Sequence, residues 1–133
     1  NEMANKLHNP STIAPPARNL YAHGVEAAKN SRHLYVAGQV GVRPDGTVPE
    51  SLEEQTEQMM ENIRAILASA GMDFADIVKF NAYCMSAADI ITYAGIRNRH
   101  FAGVQTATTA VVVSGLANPA WKVEADVIAA RQD

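Results

Sequence analysis

An α+β fold, built as one mixed sheet with both helices on a single face, follows from three features of these 133 residues. Segments of period 2 and two segments of period 3.6 succeed one another in the order β-β-α-β-α-β-β. Each helical segment opens on a serine with an acidic residue three positions later. The last strand segment is apolar on one side only. A chain this long can bury about two-thirds of its unfolded surface, so residues 19–133 are expected to form one domain without staples.

The elements follow in order. Residues 1–18 are polar, carry Pro10, Pro15 and Pro16, and show no sustained period; they are predicted to be an extended arm. Tyr21 to Ala27 and His33 to Val42 read as strands, the second ending at the turn residues Pro44, Asp45 and Gly46. Their adjacency favours an antiparallel hairpin. Ser51 and Glu54 form a capping-box pair before Leu52, Met59, Ile63, Ile66 and Leu67, which recur at helical spacing, and Gly71 is placed to end that helix. Ile77 to Met85 alternates Val78, Phe80, Ala82 and Cys84 against Lys79, Asn81 and Tyr83. Ser86 and Asp89 open a second helix through Ile90, Ile91, Tyr93, Ala94 and Ile96 to Phe101, with Gly103 just beyond. Thr106 to Ser114 and Trp121 to Ala130 are strands on either side of a break at Gly115 to Pro119.

Composition bounds the function. A net charge of −3 and a pI near 5.8 give no basic surface to neutralise phosphates, which argues against nucleic acid as a partner. Cys84 is the only cysteine, so there is no intrachain disulfide, and a reducing compartment, the cytoplasm, is expected. No segment has the length and apolarity of a membrane span. His8, His23, His33 and His100 show no ligand spacing, so no metal site is expected. Arg97, Arg99 and His100 are expected on the solvated side of a helix C-terminus, where positive charge offsets the dipole.

The uncovered side of the sheet is the informative one. In the last strand Val123, Ala125 and Val127 face the helices, while Lys122, Glu124, Asp126 and Ile128 alternate against them. The neighbouring run Ala110 to Val113 is apolar on both faces, so this side is not expected to lie fully in water. Oligomerisation resolves the conflict by turning several such faces inward, with pockets where subunits meet.

Several motifs in the right order resemble the YjgF/RidA family. They are Asn62 to Gly71 followed by Asp76-Ile77-Val78-Lys79, Ala37-Gly38-Gln39 upstream, Tyr21 at the aromatic position before the family's first hairpin, and the closing Val123 to Ala129. The likeness covers roughly Leu20 to Ala130, with a shortening near Gly103 to Gln105. It implies a chorismate-mutase-like fold, a homotrimer with a barrel-like centre, and small-molecule clefts at the subunit interfaces. It implies no metal or organic cofactor. Archetypal members hydrolyse reactive enamines and imines to 2-keto acids and ammonia, an arginine holding the substrate carboxylate and an acidic residue positioning water. An endoribonuclease label also attaches to the family, and the acidic balance speaks against it here.

This sequence departs from that pattern. Thr108 stands in the place of the family arginine, followed by Thr109 and Ala110, and Ala94 in the place of an asparagine. Asp126 is matched to the family glutamate, while Gly38 and Tyr21 are retained. The expected catalytic residue is therefore Asp126, orienting water. The expected substrate-binding residues are Tyr21, Gly38, Thr108 and Thr109. Asp126 equally reads as a trimer-stabilising carboxylate paired with Lys122 or another subunit's cation, Tyr21 as an interface aromatic, and Gly38 as a simple bulge. An arginine–carboxylate fork yields about 1.5–3 kcal/mol per bond against about 1 for a threonine hydroxyl. An amino-acid-derived imine should then bind at least about tenfold more weakly, unless Arg97 or Arg99 replaces the lost charge. Two functions follow: a divergent deaminase or hydrolase of small imines, and a non-catalytic trimeric binding or regulatory protein.

Overall fold

A computed structural model describes residues 2–133. Its strands are β1 (Lys6–His8), β2 (Gly24–Glu26), β3 (Arg32–Gln39), β4 (Ile77–Cys84), β5 (Ala107–Val112) and β6 (Val123–Arg131). Its helices are α1 (Leu52–Ser69) and α2 (Ala87–Phe101). The main sheet has the order β3-β6-β4-β5, with β4 and β5 parallel and both pairings of β6 antiparallel. α1 contacts β3 and β6, and α2 contacts β4 and β5, so the helices share one face of the sheet and pack on each other. The expected α+β architecture is the one observed.

Local chemistry sets the helix ends. Ser51 Oγ accepts from the Glu54 amide at 3.1 Å, and Ser86 Oγ from the Asp89 amide at 3.1 Å, each satisfying a donor that the first helical turn leaves free. α1 stops at Gly71, whose φ of +70° suits a residue without Cβ. The helix faces then bury Met59, Met60, Ile63 and Leu67 from α1 and Tyr93 and Phe101 from α2. They meet Phe80, Ala82 and Cys84 of β4 and Val123, Ala125, Val127 and Ala129 of β6. Each large apolar side chain buried this way contributes about 1.5–3 kcal/mol.

The expected hairpin between the first two strand segments does not form. β2 is three residues long and pairs with β1, Leu7 opposite Val25, while β3 pairs with β6. Asn5 explains the exchange: its Oδ1 accepts from the Ala28 amide, and its Nδ2 donates to the carbonyls of Ala130 and Asp76. The amide group thus ties the arm to the β2–β3 link and the end of the sheet. Part of the predicted arm is accordingly a strand; residue 1 lies outside the described residues.

Gln55 is a second anchor, which composition and spacing did not single out. It is fully buried, its Nε2 donates to the Pro49 and Ala120 carbonyls at 2.8 and 2.9 Å, and its Oε1 accepts from the Lys122 amide at 2.8 Å. It fixes the chain entering β6 against α1. Nearby, a Cβ on Gly41 would lie 2.5 Å from the Gln55 carbonyl oxygen, so the backbone after β3 rests directly on the helix. Replacing Gln55 by Leu leaves three backbone groups without partners and should cost about 2–4 kcal/mol. Urea denaturation checks this, and a loss under about 0.5 kcal/mol would contradict the anchoring role.

Candidate functional site

β6 carries two carboxylates on the face away from the helices. Its register sets Asp126 opposite Asn81 and Glu124 opposite Tyr83 on β4. β5 continues these cross-strand rows with Thr109 opposite Asn81 and Val111 opposite Tyr83. Strand alternation puts all six on the same face, because neighbouring residues point to opposite sides.

The two carboxylates are held differently. Asn81 Nδ2 donates to Asp126 Oδ1 at 2.9 Å, and the Tyr83 hydroxyl donates to Asp126 Oδ2 at 2.6 Å. Both oxygens of Asp126 are engaged within the chain, by neutral donors rather than by Lys122. The bond to Asp126 is the main reason the Tyr83 phenol is raised above its ordinary value, with burial and the charges of Asp126 and Glu124 adding to it. Glu124, by contrast, makes no hydrogen bond or ion pair among the described residues. Its carboxylate lies across Gly38, where a Cβ would stand 2.2 Å from Oε2. That contact, beside the register shift between Val36 and Gln39, is the reason for glycine at this position.

Of the expected site residues, the structure joins some and separates others. Asp126 and Thr109 flank Asn81 in one row, and Thr109 Oγ1 accepts from Lys79 Nζ at 2.8 Å. Thr108 points the other way, toward α2, and its hydroxyl donates to the Phe80 carbonyl at 3.1 Å. Tyr21 lies on the same side of the molecule as β5, since the amide of Ala22 donates to the Thr106 carbonyl at 3.0 Å. Its ring meets His23 edge-on at 5.8 Å. Gly38 is on β3 and Thr108 on β5, the two outer strands. Three strand spacings separate those edges, about 14 Å, too far for one small ligand to touch both residues of one chain.

Sequence reasoning missed Glu124. Its alternation with Val123 and Ala125 was legible, but its position over Gly38 depends on how β3 meets β6. Arg97 overturns an expectation outright. It is 6% exposed rather than solvated, because it lies one turn after Tyr93 and one before Phe101 on the buried ridge of α2. The Tyr93–Arg97–Phe101 spacing was the available signal. Its Nη1 donates to the Tyr93 hydroxyl at 3.2 Å and to Thr108 Oγ1 at 3.4 Å. Its Nε and Nη2 donate to Asn98 Oδ1 at 3.2 and 2.9 Å. Arg99 is exposed at the helix surface, and His100 sits against Glu57 and Glu61. Ala94, in the place of the family asparagine, is half-buried against the core. Cys84 is fully buried, which pushes its thiol up to about 11 and leaves it a poor nucleophile.

A half-covered four-stranded sheet with paired carboxylates on its bare face defines the class: a small α+β protein whose candidate site lies on that face and at the sheet's edges. The chain belongs to the YjgF/RidA family, since the model described as endoribonuclease L-PSP matches residues 11–131. A mouse relative, 2-iminobutanoate/2-iminopropanoate deaminase, is 32% identical over 121 residues, covering 90% of this chain and 87% of that protein. Among solved structures, a Rid-family protein of unknown function from Yersinia pestis superposes with a TM-score of 0.86 at 28% identity, covering 96% of this chain and 98% of that one. TdcF from E. coli with bound serine superposes at 0.72 and 26% identity, covering 99% and 96%.

The Tyr83–Asp126 bond gives a direct test of the row. A tyrosine whose folded value is raised contributes stability that is fully present below its unfolded value near 10 and is lost as pH climbs through the higher folded value. In Asp126→Asn the Tyr83 phenol should return toward 10, read from its ring-carbon NMR shift. An unchanged titration would mean that the bond does not hold the hydroxyl.

Proposed function

We propose that this chain is a hydrolase of small imines or enamines, working at clefts between the subunits of a homotrimer in the cytoplasm. The single observation that carries the reading is the unpartnered carboxylate of Glu124 lying over Gly38, beside the hydrogen-bonded trio Asn81, Asp126 and Tyr83. Glu124 positions the attacking water and takes its proton. Asp126 holds Tyr83 and Asn81 in place around it, a division of labour between the residue expected from the sequence and the neighbour it had eclipsed. The bare backbone at Gly38 admits the polarised carbon–nitrogen centre. Water adds to the imine carbon, the carbon–nitrogen bond breaks, and a keto product and ammonia leave.

Two observations support assembly. The bare face and edge expose Tyr35 at 73%, Val111 at 41% and Val112 at 52%, more apolar surface than an edge strand ordinarily shows to water. Gly38 and Thr108 lie on opposite outer strands, so a cleft using both takes them from different subunits. Tyr21 and Thr109, at the β5 edge, are then placed to contact ligand or partner. The mouse relative's name and the serine held by the E. coli structure fit a small amino-acid-derived ligand.

A second reading, a trimeric binding or regulatory protein without turnover, is favoured by one specific observation, the threonine at the family arginine position. One experiment separates them. Imines generated in situ from several amino acids are followed for keto-acid formation, with Glu124→Gln and Gly38→Ala alongside the wild type. Turnover should fall about 10²–10⁴-fold in Glu124→Gln, the usual weight of general acid–base catalysis. Gly38→Ala, which displaces a flexible carboxylate rather than backbone, should lose activity while keeping its stability. No acceleration by wild type with any imine would leave the binding reading. Light scattering should give three times the 14.3 kDa of one chain, and a monomer would remove the cleft altogether.

A further inference from the structure

The connection between β1 and β2 is long for a two-stranded ribbon. β1 ends at His8, directly opposite Gly24, so residues 9–23 form the whole connection and their ends lie side by side. Loops longer than about 12–15 residues are ordinarily functional, and a segment that returns to its own start is a compact surface loop held by its own contacts. This one carries Tyr21.

Two sets of contacts hold it. The residues entering β5 supply a floor: the Ala22 amide donates to the Thr106 carbonyl at 3.0 Å, Gln105 Nε2 donates to the Asn19 carbonyl at 2.6 Å, and Ala22 is buried. His23 supplies the closure. Its amide donates to Asn9 Oδ1 at 2.8 Å, and its ring Nε2 meets the Ala14 carbonyl oxygen at 2.7 Å. A carbonyl only accepts, so Nε2 carries the hydrogen in the neutral ring as in the protonated one. The closure therefore holds in either state.

The backbone between these contacts is imposed on the chain. Arg18 and Asn19 have φ of +57° and +55°, the left-handed region that L side chains enter at a cost, and Leu20 and Tyr21 follow at once. Such residues persist only where their surroundings over-determine them, and they cluster at functional sites. Two positions after Tyr21, the His23 ring packs edge-on against the phenol ring, with centroids 5.8 Å apart and planes at 82°. The tyrosine is thus bracketed by a forced backbone before it and an imidazole after it.

We propose that His23 is a positioning residue, which aims the Tyr21 hydroxyl at the cleft by latching residues 9–23 to the Ala14 carbonyl. The inference rests on the reading of Tyr21 as a ligand contact, and it assigns the order of the loop to one N–H···O bond. His23 acts through Tyr21 and not on the reacting atoms: it removes beforehand the freedom that the phenol would otherwise lose on binding.

The test compares the intact wild type with His23→Gln, which keeps an N–H donor for Ala14, and His23→Phe, which keeps a ring beside Tyr21 but no donor. Nitrogen-15 relaxation should give the Tyr21 amide an order parameter of about 0.85 in wild type and His23→Gln, and below about 0.6 in His23→Phe. In imine hydrolysis, His23→Phe should raise KM about three- to tenfold with kcat little changed, the signature of lost binding, while His23→Gln stays near wild type. In a Tyr21→Ala background, His23→Phe should have no further effect on KM, whereas general damage to the fold would add to it. The proposal is overturned by an order parameter that holds in His23→Phe, by a His23→Gln loop as disordered as that of His23→Phe, by an unchanged KM, or by a KM effect that survives Tyr21→Ala. Relaxation needs no turnover, so the two readings fail separately. A Tyr21 whose order depends on His23 in a protein that hydrolyses no imine sinks the hydrolase alone, and turnover with a Tyr21 indifferent to His23 sinks this inference alone.

Discussion

β6 is the constraint on which the rest of the molecule depends. It is hydrogen-bonded to β3 on one side and β4 on the other, and its inward residues Val123, Ala125, Val127 and Ala129 are essentially inaccessible beneath the two helices. A strand fixed on both edges and packed on one face cannot slip by a residue without exchanging that apolar set for Glu124, Asp126 and Ile128. The energy that builds the core is therefore the same energy that delivers two carboxylates to the uncovered face. Their geometry is a by-product of hydrophobic register.

From that register the two acids acquire different chemistry through their neighbours. Asp126 meets an amide and a phenol on β4 and has its lone pairs directed at them. Glu124, one methylene longer and two residues earlier, reaches over the strand edge to a glycine and finds no donor. A single substitution of the glycine would fill the space the carboxylate uses. One strand thus carries a satisfied and an unsatisfied carboxylate, a contrast that residue type alone does not reveal.

α2 contributes the opposite charge by the same logic of periodicity. Tyr93, Arg97 and Phe101 form an i, i+4 ridge against β4 and β5, and the middle member of an aromatic ridge is an arginine. Its long apolar stem suits the packing, while its head reaches Thr108 at the sheet edge. The acid-bearing face and this cation lie on different sides of the sheet within one chain.

The sequence by itself determined the fold class, both helices with their serine caps, the four strands of the main sheet and the inward–outward alternation of β6, because these rest on local periodicity and on side chains reaching their own backbone. The likeness to YjgF/RidA was legible for the related reason that its motifs are contiguous runs. Tertiary structure alone decided that β2 pairs with the arm, that Gln55 locks α1 to the entry of β6, that Glu124 lies over Gly38, and that Arg97 is buried beside Thr108. Each of these joins residues far apart in the chain, or turns on which of two faces a helix buries, and no short-range pattern carries that information. Closure of the chain around its core fixes those contacts, since only there do distant backbone groups compete for the same partner.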